Sequence, residues 1–277
     1  MKPEKKRITI ADISSLKKDF GYKNLNTVCQ SAKCPNIGEC FKRRTATFLI
    51  MGKNCTRGCS FCGIEKHAPE TLDASEPKRI AEAVKELGLA YSVKTSVTRD
   101  DLPDEGANHF FQTVSEIRKV LPNTKIEVLV PDFSGKTELI DIVLAAKPDV
   151  FSHNIETVPS LYEKVRKGAD YKRSLEVIKY AKSKNFKVKT GIMLGLGENR
   201  EEIYKVIDDI RNTGTDILTI GQYLAPTKNH YPVIKEYLPQ EFEEIETYAK
   251  AAGLKQTVCA RYVRSSYLAD ESFKKIS

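Results

Sequence analysis

From Thr45 onward the chain alternates between short runs of β-branched and apolar residues and longer stretches whose apolar positions recur every three or four residues. The runs TATFLIM (45–51), YSVKTSV (91–97), KIEVLV (125–130), DVFSHNI (149–155), FKVKTGIM (186–193) and DILTIGQ (216–222) predict strands. Between them, Glu76–Leu87, Asn108–Leu121, Lys136–Ala146, Tyr171–Ser183, Arg200–Asn212 and Pro239–Ala252 predict amphipathic helices, several bounded by Gly or Pro. A repeated strand–helix unit builds a parallel sheet with helices outside it. The pattern therefore predicts an α/β fold, a partial or closed (β/α)6-type TIM-like barrel. The expected division is an N-terminal extension over 1–44, a barrel over 45–256 and a C-terminal extension over 257–277, both extensions folding back over the barrel mouth.

Barrels of this kind carry their chemistry at the C-terminal ends of the strands. Polar or glycine-containing ends occur at Ser96 to Asp101, His153-Asn154-Ile155-Glu156, Gly195-Leu196-Gly197-Glu198 and Gly221-Gln222-Tyr223. The 277 residues suffice for one such domain, and the 40% hydrophobic and 30% charged composition is that of a globular protein. No apolar run is long enough to span a membrane, and the first residues lack the apolar core of a secretory signal. The expected location is cytoplasmic, with no membrane partner. The net charge of +8 comes from Lys and Arg scattered over helix faces, which predicts a solvated basic surface rather than a nucleic-acid site. Such a surface would speed encounter with an acidic protein.

Cysteine changes this picture most. There are seven, and six lie between Cys29 and Cys62. Cys55, Cys59 and Cys62 form a Cys-x-x-x-Cys-x-x-Cys loop directly after the first predicted strand. Three thiolates on one short loop can hold three irons of a cubane and leave the fourth open to a ligand. Structural zinc instead takes four closed ligands, and only His67 lies near enough in sequence to complete such a set. Upstream, Cys29, Cys34 and Cys40 form a second triad in polar, Gly- and Pro-containing sequence ill suited to a core strand. The two triads together predict two separate clusters. The second lacks a fourth ligand, for which Cys259 is a candidate.

The Cys-x-x-x-Cys-x-x-Cys loop resembles that of the radical S-adenosylmethionine (SAM) enzymes. The Cys29/Cys34/Cys40 group, with its Cys-Pro-Asn-Ile-Gly-Glu-Cys stretch, is similar to the lipoyl synthase family in particular. The resemblance continues through Thr95-Ser96-Val97, Arg99 to Leu102, Val130-Pro131-Asp132-Phe133, His153 to Pro159, Gly195 to Glu198, Gly221 to Leu224 and Val263-Arg264-Ser265-Ser266-Tyr267, and so covers nearly all of Thr27 to Tyr267.

The resemblance implies two [4Fe-4S] clusters with SAM as cofactor. The Cys55/Cys59/Cys62 cluster would cleave SAM to a 5′-deoxyadenosyl radical, and the second cluster would be sacrificed to place two sulfur atoms on a protein-bound octanoyl-lysine. Methylenes carry no acidic proton, so a radical is needed where acid–base catalysis fails. The resemblance assigns the fourth ligand of the second cluster to Ser266, with Ser265 as the alternative. From the residues alone both serines read as a cap or turn. It also places Asn154, Glu156 and Arg166 against SAM, with Gly195 and Gly197 allowing close backbone approach. Implied partners are octanoylated carrier domains (2-oxoacid dehydrogenase E2 or glycine cleavage H protein), a ferredoxin- or flavodoxin-type reductant and an iron–sulfur carrier protein.

Arg99, Asp100 and Asp101 are expected to orient substrate or fix the strand end, and Cys259 to neighbour the second cluster. His67, His109, His153 and His230 have no assigned role. Lys94, Ala260-Arg261-Tyr262 and Leu268 depart from the family pattern but leave every ligand in place. Two rival functions remain: a radical SAM methylthiotransferase acting on tRNA or protein, and a non-enzymatic iron–sulfur electron carrier. The first normally adds a nucleic-acid-binding domain, and the second leaves the barrel without a purpose.

Overall fold

The computed structural model describes residues 25–31, 34–64 and 66–277; the first 24 residues of the expected N-terminal extension, and Ala32, Lys33 and Glu65, lie outside the described residues. One sheet carries the fold, with strands in chain order: β1 (Asn26–Thr27), β2 (Thr45–Ile50), β3 (Tyr91–Ser96), β4 (Lys125–Leu129), β5 (Val150–Ser152), β6 (Val188–Leu194), β7 (Ile217–Gln222) and β8 (Gln256–Cys259). The pairings from β2 to β8 are parallel, whereas β1 runs antiparallel to β2. Among the described residues β8 pairs only with β7 and β1 only with β2, so the barrel is partial and not closed. The six predicted strands are present. Sequence patterning missed β1, only two residues long, and β8, which begins at the last residue assigned to the barrel and runs into the expected C-terminal extension.

Buried side chains from the outer helices cover the sheet: Ile80 and Val84, Phe110, Val114 and Ile117, Ile203, Val206 and Ile210, Phe242 and Ile245. Parallel strands coated in this way are apolar on both faces, as in β2, where every residue is buried. Local signals fix the helix starts. Asn199 and Glu202 form a reciprocal capping box at 2.9 Å in each direction, and Pro239 opens its helix where no backbone donor is needed.

The N-terminal end of the barrel interior is plugged. Lys189 Nζ lies 3.0 Å from Glu127 Oε1, and Tyr91 donates to Glu127 Oε2 at 2.7 Å. Phe273, on the last helix Ala269–Lys275, packs on Tyr91 at 6.1 Å between ring centroids. The tail therefore differs from the expectation that it folds over the mouth. Ala260 to Tyr267 lie at the strands' C-terminal side, where Gln222 N donates to Arg261 O at 3.2 Å, and the following helix crosses to the opposite end because Phe273 and Ala269 complete an apolar cluster with Tyr91, Val93 and Val150.

Candidate active site

The loop from Cys55 to Cys62 leaves β2 and is pinned on three sides. Thr98 N donates to Cys55 Sγ at 3.3 Å, Ser60 N to Val165 O at 2.9 Å, and Tyr231 N to Ser60 O at 2.9 Å. His230 Nε2 meets Cys62 O at 3.1 Å, which gives that histidine a place the sequence did not suggest. Arg57, between the thiols, binds both oxygens of Asp100 at 3.0 and 2.8 Å and Asp132 Oδ1 at 2.7 Å. Arg173 reaches Asp132 Oδ2 at 2.8 Å. Burial alone would raise the Asp132 carboxyl, but the Arg57 hydrogen bond and the charges of Arg57 and Arg173 hold it well below the usual carboxylate range. Arg57 and Asp132 thus fix the loop to the end of β4.

All three thiols face a cavity of about 310 Å³ at the C-terminal ends of the strands. Apolar groups including Phe61, Ile64, Val97 and Ile192 wall it, together with Asn154, Glu156, Arg166, Gly191 and Ser265. Cys29, Cys34 and Cys40 line a second cavity of about 160 Å³ beside the start of β2. Val28, Thr95, Leu129, Arg264 and Ser265 line both, so the two cavities share one wall. Burial pushes the Cys29 thiol up to about 11 and Cys62 to about 12, which keeps them protonated until metal displaces the proton. Among the described residues no three His, Cys, Asp or Glu side chains converge as a single metal ion requires.

Asn154 sits between the elements. Its Nδ2 donates to Glu156 Oε1 at 3.0 Å and to Ser265 Oγ at 2.8 Å, while its Oδ1 is buried without a partner. An orphan acceptor on a cavity wall suits a ligand donor. Glu156 has a positive φ of 68°, held because its N donates to Gly191 O at 3.0 Å and its carbonyl accepts from Met193 N at 2.8 Å. Burial raises the Glu156 carboxyl, with Arg166 and Asn154 opposing. Arg166 donates from Nη1 to Tyr162 Oη at 3.0 Å and Ser174 Oγ at 2.9 Å, and its Nη2 lies 3.4 Å from His153 Nε2. Burial, reinforced by the Arg166 charge, lowers His153 to about 3. The ring is therefore neutral; Nδ1–H donates to Val130 O at 2.8 Å and Nε2 accepts from Arg166.

Several expected residues fall elsewhere. Gly195 and Gly197 line neither cavity. A Cβ on Gly195 would come within 2.2 Å of Gln222 Nε2 and 2.5 Å of Lys235 O, so protein packing requires that glycine. The glycines on the cavity wall are Gly191 and Gly221; at Gly191 a Cβ would meet Thr219 Oγ1 at 2.7 Å and Asn154 Oδ1 at 3.1 Å. A glycine inside a strand run is the signal that could have found it. Cys259 ends β8 in a separate crevice with Leu268 and Ser272, so it lines neither triad's cavity. Ser266 lines the second cavity with the thiols, whereas Ser265 is held by Asn154. Arg99 pairs with Asp101 at 2.8 Å and Asp100 with Arg57, so this stretch fixes the end of β3. Soft thiolate donors in two apolar-walled cavities, one beside an orphan acceptor, fit iron–sulfur clusters.

Residues 49–210 match the Radical SAM superfamily. A lipoyl synthase of Caldicellulosiruptor saccharolyticus is 52% identical over 270 residues, covering 97% of this chain and 94% of that one. One from Caldanaerobacter subterraneus subsp. tengcongensis is 51% identical over 273 residues, covering 97% and 96%. Among solved structures, methylornithine synthase (PylB) superposes with a TM-score of 0.60 at 16% identity, covering 90% of this chain and 75% of its own. Streptococcus suis SuiB bound to S-adenosylmethionine gives 0.60 at 13%, covering 91% and 61%. At those identities the two structures speak to the fold alone.

Proposed function

The chain belongs to the radical SAM superfamily and, within it, to the lipoyl synthases, and on that premise we propose how its two thiol triads divide the work. Its reaction is radical sulfur insertion in lipoate biosynthesis, with SAM and two [4Fe-4S] clusters as cofactors and a lipoyl-carrier protein as substrate. Cys55, Cys59 and Cys62 would hold the cluster to which SAM binds. Cys29, Cys34, Cys40 and Ser266 would hold the second cluster, which would supply the sulfur. When bound, these groups supply the hydrogen abstraction and the sulfur that no side chain can provide.

The observation that carries this assignment is the wall shared by the two cavities, through Val28, Thr95, Leu129, Arg264 and Ser265. An acyl chain crossing that wall would touch both sites. The chain's own residues do the positioning. Arg57 and Asp132 hold the first thiol loop in place, and Phe61, Ile64, Val97 and Ile192 keep water from the reacting carbon. Asn154 offers its free Oδ1 to the amino group of SAM, Glu156 supports it, and Arg166, set by His153, Tyr162 and Ser174, presents a planar fork to the carboxylate. The natural substrate is an octanoylated domain of a 2-oxoacid dehydrogenase E2 or a glycine cleavage H protein. A ferredoxin- or flavodoxin-type protein is the reductant, and an iron–sulfur carrier protein rebuilds the second cluster. No helix of the described residues is long and apolar enough to cross a membrane, and we place the reaction in the cytoplasm, where thiols stay reduced.

The test is to mix anaerobically reconstituted protein with SAM, a reductant and an octanoyl-lysine peptide, then weigh the peptide. A gain of two sulfur atoms is expected. An unchanged peptide beside a methylthiolated RNA would transfer the chain to the methylthiotransferases.

A further inference from the structure

The second triad lies between two chain segments far apart in sequence, and polar bonds join those segments on both sides of Ser266. Buried Asn36 donates from Nδ2 to Tyr262 O at 2.6 Å. Tyr267 donates its hydroxyl to the Glu39 carboxylate, with oxygens at 3.0 and 3.2 Å. Arg43 Nη2 meets Asp270 at 2.8 Å and its Nη1 meets Glu271 at 2.6 Å. Asn36, Glu39 and Arg43 are spaced three and four apart along and just beyond the helix Ile37–Lys42, so they form one stripe. Cys40 belongs to the same turn, its N donating to Asn36 O at 3.0 Å.

On the tail, the bonded positions bracket the serines. Tyr262 is held before them and Tyr267 directly after, while Tyr267 N donates to Arg264 O at 2.8 Å and closes a turn over Ser265 and Ser266. Ser265 is tied to Asn154 on the barrel side. Of the two serines in the turn, Ser265 lines both cavities and Ser266 lines the second alone. Apolar packing is scarce here: the tail from Arg264 to Tyr267 is only half-buried, and β8 does not close against β1.

We propose that Asn36, Glu39 and Tyr267 are positioning residues, a polar clasp that draws the tail across the open seam of the barrel and sets the Ser266 hydroxyl opposite the Cys29, Cys34 and Cys40 thiols. This deepens the two-cluster reading and rests on it. A clasp of hydrogen bonds suits a site whose cluster is consumed and replaced, because the tail can release and reseat without exposing a hydrophobic core. The Arg43 ion pairs anchor the far end, so that release at Tyr267 leaves the last helix seated.

Two readouts separate the clasp from the reading beneath it. In holoprotein, iron release to a ferrous chelator should show two phases, one for each cluster. Losing one charge-assisted hydrogen bond raises the detached fraction by about tenfold, so Tyr267→Phe and Glu39→Ala should speed the second-cluster phase about tenfold. Glu39→Gln, which keeps an acceptor, should stay near the parent, and the phase of the Cys55/Cys59/Cys62 cluster should not move. Parental release in Tyr267→Phe, or equal acceleration of both phases, overturns the positioning role. A single phase in the parent overturns the two-cluster reading instead. In metal-free protein, trypsin should cut at Arg261 or Arg264 faster in Tyr267→Phe and Glu39→Ala; unchanged cutting sinks the clasp whatever the clusters do.

Discussion

Asn154 Nδ2 donates to Ser265 Oγ over 2.8 Å, joining the end of β5 to a tail residue 111 positions later. The bond makes the two adjacent serines unequal, since Ser265 is engaged at the first cavity and Ser266 faces the second. Ser266→Ala is expected to cost about one iron per chain from the second cluster, as a cubane loses its least firmly held corner. Ser265→Ala should keep that iron and instead raise the KM for SAM severalfold, because Asn154 loses one of its two anchors. Iron analysis beside SAM titration checks both. Iron loss in Ser265→Ala alone would exchange the two roles.

The triads should separate cleanly under mutation. Replacing Cys55, Cys59 or Cys62 by Ala should remove about four irons and SAM cleavage together. Replacing Cys29, Cys34 or Cys40 should also remove about four irons but leave reductive SAM cleavage running without sulfur insertion. Iron content, cleavage product and peptide mass decide it. A Cys34→Ala variant that still inserts sulfur would refute the division.

Much of this site was legible because its ligands are local. Cys55, Cys59 and Cys62 sit on one loop, where spacing alone restricts the chemistry, and six strands followed from alternation of apolar runs with amphipathic helices. What sequence hid is long-range. Asn154 and Ser265, or Arg57 and Asp132, are ordinary polar residues until the barrel brings them together. Ser266 carries no mark of a ligand, since a hydroxyl in a polar tail reads as a turn. β8 escaped because no amphipathic stretch evident in the sequence follows Gln256 to Cys259 to mark a further strand–helix unit, and only pairing with β7 makes them a strand. Gly195 shows a related difficulty: its glycine reports close approach, here of Gln222 and the Lys235 carbonyl, without saying from sequence whether protein or ligand approaches.

Asp132 should govern acid stability. Its carboxyl is fully buried against Arg57 and Arg173 and is held below its ordinary value. A depressed carboxylate contributes stability that is complete above the unfolded value of about 3.9 and is lost as pH falls toward the folded one. Asp132→Asn leaves Arg173 without its counter-charge and Arg57 with Asp100 alone, and should cost about 1–3 kcal/mol at pH 7. Denaturant unfolding of parent and variant at pH 7 and below pH ~4 should show the gap shrinking in acid. A gap that is constant with pH would mean that packing, not charge, accounts for the loss.

Lys94 is the opposite case, a charge-bearing side chain that works against the fold. It is fully buried in β3, sharing a face with Ser92, and its Nζ donates to Ser92 O at 3.0 Å. Burial holds the amine well below the usual lysine range, the Arg118 charge lowers it further, and Asp149 and Glu127 oppose without restoring it. The folded chain therefore keeps Lys94 neutral at a pH where the unfolded chain protonates it. Between the lowered folded value and the unfolded value near ~10.4 the unfolded state binds more protons, so stability should rise with pH across that window. Lys94→Met removes the cost while filling similar volume and should stabilise the protein by about 1–3 kcal/mol at pH 7. That gain should fade as pH approaches ~10. Because Thr95, not Lys94, lies on the cavity wall, sulfur insertion should be unchanged. A Lys94→Met protein that is less stable at pH 7, or whose advantage does not vary with pH, would show that the amine is charged and paired where it sits.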